Sequence, residues 1–191
     1  GIRAEDINEP WLRSRLVDCI DELNQPENAI LFEGAQGFYL DVDHGEYPYV
    51  TSSNTGVAAA INTGIPPQTI RSVYGVAKIY ETYVGAKKFQ PNDNRFKELQ
   101  KLGEEFGATT GRARQCNFLN LTELIRAVKV SGVTELIFNK VDVIKEWAYF
   151  SYYKDKLQYK FDTFEIMQGQ INNILQPLVQ KVVYSSSKED I

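Results

Sequence analysis

The alternation of apolar and polar positions divides the chain into helical and extended stretches. Over residues 10 to 23, Trp11, Leu12, Leu16, Cys19, Ile20 and Leu23 recur at helical spacing. This predicts a first helix, capped by Asp6 or Asn8, with Pro10 near its first turn. "NQPEN" breaks that helix, and "AILFEG" then reads as a short buried strand. Gly34 and Gly37 open a long loop of turn formers, "GAQGFYLDVDHGEYPYVTSSNTG". "TGVAAAINTG" is small and apolar and predicts a close-packed helix ending at Gly64. "IRSVYGVAKIYETYVG" is β-branched and aromatic and predicts one long or bent strand. Residues 92 to 104, "NDNRFKELQKLGE", predict an amphipathic helix with Phe96, Leu99 and Leu102 inward.

In "NLTELIRAVKVSG" Asn120 or Thr122 caps a helix, Leu124, Ile125 and Val128 face the core, and Gly132 ends it. "TELIFNKVDV" reads as a buried strand running into a loop. "WAYFSYYKDKLQYKFDTF" reads as a β-hairpin turning near Lys154 and Asp155. "EIMQGQINNILQPLVQ" predicts a final helix that ends or kinks before Pro177, and "KVVYSSS" a last strand entering a polar loop. Strands alternating with helices predict an α/β fold: a mainly parallel sheet flanked by helices, with an antiparallel hairpin near the C-terminus. Ligands of such sheets sit at the carboxyl ends of strands. The loops at 34–56, 85–90 and 139–143 all leave predicted strand ends.

The 191 residues suffice for one domain with a proper core. Hydrophobic residues make up 43% and charged residues 24%, the balance of a globular protein. A formal net charge of -4 argues against a general nucleic-acid surface, while local basic clusters can still hold small phosphates. Cys19 and Cys116 make neither a disulfide framework nor a metal site and suit a reducing compartment, so a cytoplasmic location is expected. No apolar run approaches the roughly 18 residues of a membrane span, and the charged "GIRAEDINEPWLRSRL" does not read as a signal peptide.

Three stretches carry candidate chemistry. In "NKVD", directly after a strand, Asp142 can accept two hydrogen bonds from the N1–H and 2-amino group of guanine, a pair adenine does not offer. The Lys140 stem can cover the face of the base. A solvated turn is the bland reading of the same four residues. In "EFGATTGRARQ", Arg112 and Arg114 suit bidentate pairing with carboxylates or phosphates. Gly107 and Gly111 let the loop close, and Thr109 and Thr110 add donors; a linker with solvated arginines is the alternative. In "FEGAQG…DVDHG…YVTSSNTG", Gln36 suits a base edge or ribose, and Thr51, Ser52, Ser53 and Asn54 suit phosphate oxygens. Turn chemistry and capping would use the same residues. His44 is the only histidine, and a structural hydrogen bond with Asp43 is expected for it. No G-x-x-x-x-G-K-[ST] or G-x-G-x-x-G phosphate loop accompanies the guanine reader. That makes a small GTPase-like switch a poor reading, since the phosphates would lack a cradle.

"LFEGAQGFYLDVDHGEYPYVTSSNT", "FGATTGRARQ" and "NKVDV", in this order, with "YGVAKIYETYVGAKKFQP" between them, resemble the C-terminal half of adenylosuccinate synthetase over about residues 1 to 143. The resemblance implies an enzyme that joins L-aspartate to C6 of IMP while GTP is hydrolysed, with Mg2+ bridging the phosphates. It implies that Gln36, Thr51, Val84 and Gly85 contact the substrate nucleotide. It places Thr109, Thr110, Arg112 and Arg114 on aspartate, and Lys140 and Asp142 on the guanine of GTP. The family's phosphate loop and its catalytic aspartate and histidine belong to an N-terminal half not present in these residues. The chain alone is therefore expected to be inactive, either a fragment or one supplied with a separate N-terminal half. The segment "AKKFQPNDNR" and the short C-terminal end resemble the shorter archaeal and phage members, some of which act on dGMP. A homodimer is the family's default. A truncated homologue that binds nucleotide or dimerises without chemistry is the other reading.

Overall fold

A computed structural model describes residues 3–107 and 111–186. The chain divides into two compact units, Gly1–Arg71 and Ser72–Ile191.

The first unit consists of short helical pieces joined by turns. The predicted helix over 10 to 23 forms as two fragments, α1 (Pro10–Arg13) and α2 (Cys19–Leu23). The break has a local cause. The Asp18 side chain accepts from the amides of Ile20 and Asp21 and starts a new helix there. The residue preceding α1 is Glu9, whose side chain makes no capping bond, so neither Asp6 nor Asn8 caps it. "AILFEG" is not a strand: no described segment pairs with it, and Ile30, Leu31 and Phe32 are 44%, 84% and 44% exposed. A strand needs a neighbour to take its backbone hydrogen bonds. The small apolar helix forms as α3 (Val57–Ile61), with Ala60 buried. Its chain turns out through Gly64 at φ 98°.

The second unit carries all the described strands. The long apolar run of 70–85 forms β1 (Tyr74–Lys78) and β2 (Tyr80–Tyr83), bent at Ile79 so that each joins a different sheet. The helix α4 (Arg95–Leu102) follows, with Phe96 and Leu99 buried and Leu102 partly buried, as its periodicity predicts. Next come β3 (Gln115–Asn120) and α5 (Leu121–Ser131). Asn120 caps α5 by accepting from the Glu123 amide, and Gly132 ends it in the left-handed conformation at φ 63°. After β4 (Glu135–Asn139), the expected loop is instead the start of a helix, α6 (Val141–Trp147). The hairpin β5 (Phe150–Lys154) and β6 (Leu157–Phe161) turns at Asp155 and Lys156, both at positive φ, one residue later than expected. The chain closes with α7 (Phe164–Leu175), capped by Thr163 and ending before Pro177, and β7 (Lys181–Tyr184).

β1, β4 and β7 form a parallel sheet in the order β1-β4-β7. β2, β3, β5 and β6 form a mixed sheet containing one parallel pair, β3 with β5. The α/β class with its C-terminal hairpin is thus as expected, with the extended strands divided between two sheets. Phe96, Phe118 and Trp147 meet in the core with ring centroids 5.0 to 5.6 Å apart. This packing holds α4 and α6 against β3.

Candidate functional site

β1 ends at Lys78, and the bend at Ile79 turns the next side chain, Tyr80, into the core. Both reach Glu105, which follows α4 by a short turn. Lys78 Nζ lies 2.7 Å from each carboxylate oxygen of Glu105, and the Tyr80 hydroxyl donates to Oε1 at 2.7 Å. Arg114 Nη1 donates to Oε2 at 3.2 Å. The Glu105 side chain is 1% exposed. Burial alone pushes its carboxyl pKa up, but the hydrogen bonds from Lys78 and Tyr80 and the charges of Lys78 and Arg114 outweigh burial and hold it below the ordinary value. Gly103 is required in this turn, because a Cβ there would collide with the Tyr80 hydroxyl.

The arginine loop stands on this buried carboxylate. The Arg114 amide donates to the Glu105 carbonyl at 2.8 Å, Phe106 bridges Ala113, and the Gly107 amide donates to the Arg112 carbonyl at 2.9 Å. The Gly111 amide donates back to the Gly107 carbonyl at 2.8 Å, with Gly111 at φ 63°. Arg112 Nη2 reaches the Gly85 carbonyl at 3.4 Å. Gln115 Nε2 donates to the carbonyls of Gly85 and Lys87, and its Oε1 accepts from the amides of Phe89 and Gln90. The structure therefore brings Val84, Gly85, Arg112 and Arg114 to one end of the mixed sheet. Val84 is 49% exposed. Thr109 and Thr110 lie outside the described residues.

The "NKVD" element approaches the same turn. Lys140 adopts the left-handed conformation, φ 63°, between β4 and α6. Its ammonium donates to the Gly103 carbonyl at 3.1 Å, two residues before Glu105. Asp142 sits in the first turn of α6, where backbone amides favour a carboxylate. Asn139 Oδ1 is buried and has no hydrogen-bond partner among the described residues. The end of the Ser-rich stretch runs alongside: the Ser185 carbonyl accepts from Val141 at 3.3 Å, and its amide donates to Phe138 at 2.8 Å.

Gln36 and Thr51 belong to the first unit. Gln36 is exposed at φ 63°, and the Thr51 amide donates to the Leu40 carbonyl at 2.7 Å. The carboxylate that organises their loop is Asp41, 2% exposed, which accepts from the amides of Thr55, Asp43 and His44 at 2.6, 2.9 and 3.1 Å. Burial works against its ionisation, yet these hydrogen bonds, with that of Asn54, bring its pKa down to about 2. The expected bond between His44 and Asp43 is not formed. The His44 ring stacks on Phe38, 5.9 Å between centroids, and Asp43 takes the Asn54 amide at 2.7 Å.

Glu105, Lys78 and Gln115 were not among the expected site residues. The signals were present: a lysine inside the apolar run "VYGVAKIY", and an acid at the head of a stretch carrying two arginines. Chemically, Lys78 and Arg114 supply two cations to one buried carboxylate, and Arg112 adds a third cation to the same loop beside the Gly85 carbonyl. Among the described residues no group of three His, Cys, Asp or Glu side chains could hold a metal ion. No helix among them is long and apolar enough to cross a membrane.

A family model described as adenylosuccinate synthetase matches residues 5–173. The adenylosuccinate synthetase of Syntrophus aciditrophicus is 49% identical over 118 residues, covering 60% of this chain and 27% of that protein. The chain spans about a third of the length of the curated relatives it matches. The fully ligated adenylosuccinate synthetase of Plasmodium falciparum superposes with a TM-score of 0.77 at 24% identity, over 92% of this chain and 53% of that one. The succinoaminodeoxyadenylate synthetase of cyanophage S-2L, bound to dGMP and dATP, gives 0.54 at 20% identity, over 78% and 41%. At these identities both structures show the fold alone. The match across most of the sequence establishes that the chain belongs to the adenylosuccinate synthetase family.

Proposed function

We propose that this chain forms the substrate-binding portion of an enzyme that joins L-aspartate to C6 of IMP with hydrolysis of GTP, giving adenylosuccinate. The observation that carries this reading is the approach of two elements to one turn: Arg114 on Glu105 and Lys140 on Gly103, two residues apart. Arg112 and Arg114 receive the carboxylates of aspartate, with Thr109 and Thr110 as further donors in the same loop. Val84 and Gly85, beside Arg112, border the purine nucleotide. Asp142 reads the guanine edge of GTP. The unpartnered Asn139 Oδ1 is an acceptor that suits a base or ribose donor nearby.

The arginine loop then acts as a lid, opening to admit aspartate and closing to exclude water from an activated purine. The groups that cradle the phosphates of GTP and carry out phosphoryl transfer, with Mg2+ where it binds, come from the preceding portion of the enzyme. The complete enzyme is a cytoplasmic homodimer in this reading. The test is product formation from GTP, IMP and aspartate by the chain alone and after addition of the preceding portion of a relative. Adenylosuccinate forms only with both. Robust turnover by the chain alone refutes its inactivity, no product with both refutes the assignment, and product from dGMP in preference to IMP redirects it to the 2-amino substrate.

A further inference from the structure

We propose that Glu105 is the positioning residue of the arginine loop and that the turn from Gly103 to Glu105 ties that loop to the "NKVD" lysine. The inference rests on the proposed function only for its catalytic meaning; the linkage itself is geometric. Among the described residues Glu105 is the one side chain that meets Lys78, Tyr80 and Arg114 together. Its backbone adds a second hold, since its carbonyl accepts the Arg114 amide at 2.8 Å. Gln100 closes the base of the loop from α4, its side-chain amide donating to the Arg114 carbonyl and its own carbonyl accepting the Glu105 amide.

The other end of the turn is held differently. Lys140 donates to the Gly103 carbonyl at 3.1 Å, and Gly103 lies beside Tyr80, since a Cβ built on it would meet the hydroxyl that serves Glu105. Drawing the Lys140 ammonium toward a ligand therefore loosens Gly103, and the loosening reaches Arg114 through a buried carboxylate only two residues away. Glu105 also takes one Arg114 donor, Nη1, that a substrate carboxylate would use. It holds Arg114 in a defined place until a ligand carboxylate competes for it.

The linkage predicts local opening that requires no ligand. Amide hydrogen exchange at Gly107, Gly111 and Arg114, all hydrogen-bonded within the loop, is to be compared in the parent chain, Glu105→Gln and Lys140→Met. Exchange at these amides accelerates about tenfold in Glu105→Gln and about threefold in Lys140→Met, while α5 amides keep their protection. The Arg114 guanidinium resonances broaden in Glu105→Gln but not in Ile171→Val, a core variant that costs stability elsewhere. If Glu105→Gln does not fold, Tyr80→Phe, which removes one donor to the carboxylate, takes its place. Unchanged loop exchange in the Glu105 or Tyr80 variant overturns the positioning role, and unchanged exchange in Lys140→Met overturns the link. Failure of the chain to bind nucleotide or aspartate would sink the proposed function and leave these readouts standing.

Discussion

The Lys78 ammonium lies 2.7 Å from both carboxylate oxygens of Glu105, with the lysine 20% and the glutamate 1% exposed. Removing one partner of so enclosed a pair strands the other without its counter-charge. Lys78→Met is expected to lower stability by about 3 kcal/mol. The double variant Lys78→Met/Glu105→Gln recovers part of that loss, because no full charge is left buried. Urea unfolding of the parent, the two single variants and the double variant checks this. A double variant as damaged as the sum of its parts would show that the two side chains do not act as a pair.

Glu81 gives the protein a pH dependence of unusual sign. Burial raises its pKa to about 7, against the Asn120 amide bond and with help from Glu123. It lines a cavity of about 240 Å³ with Lys87, Phe89, Asn117 and Tyr153. A carboxyl whose folded pKa lies above its unfolded value of 4.5 binds its proton more tightly in the native state. Its contribution is therefore present at low pH and lost as pH rises from 4.5 through about 7. Thermal unfolding from pH 5 to pH 8 should show stability falling in the parent chain and falling less in Glu81→Gln. Parallel curves would contradict the assignment.

Asp41 has the opposite sign. Its folded pKa of about 2 lies below the ordinary 3.8, so its contribution is present above 3.8 and lost as pH falls toward 2. Asp41→Asn replaces an acceptor of three backbone amides and is expected to cost about 2 kcal/mol at neutral pH. The gap between the two chains narrows as the pH approaches 3. A constant gap would place the loss in packing instead of charge.

Much of the second unit was legible in the sequence because its elements carry their own signals. Asn120 and Gly132 bracket α5, the Phe96 and Leu99 spacing marks α4, and the apolar "TELIF" marks β4. The first unit was less legible for a physical reason. "AILFEG" has the composition of a strand, but among the described residues nothing supplies the neighbour that would make it one, and Asp18 captures two amides and breaks the helix around it. In the site, the motif residues were readable as motifs, whereas Glu105 and Lys78 were not. Their importance lies in a meeting of positions 27 residues apart, which no local pattern encodes.

The most direct measurement is amide NMR of the chain titrated with GTP and, separately, with ATP, in the parent and in Asp142→Asn. In the parent, GTP shifts the amides of residues 139 to 142 and ATP does not, with affinities separated by at least about tenfold; Asp142→Asn removes that preference. Equal responses to the two nucleotides, or a GTP preference that survives Asp142→Asn, would contradict the placement of a guanine-reading site in this chain.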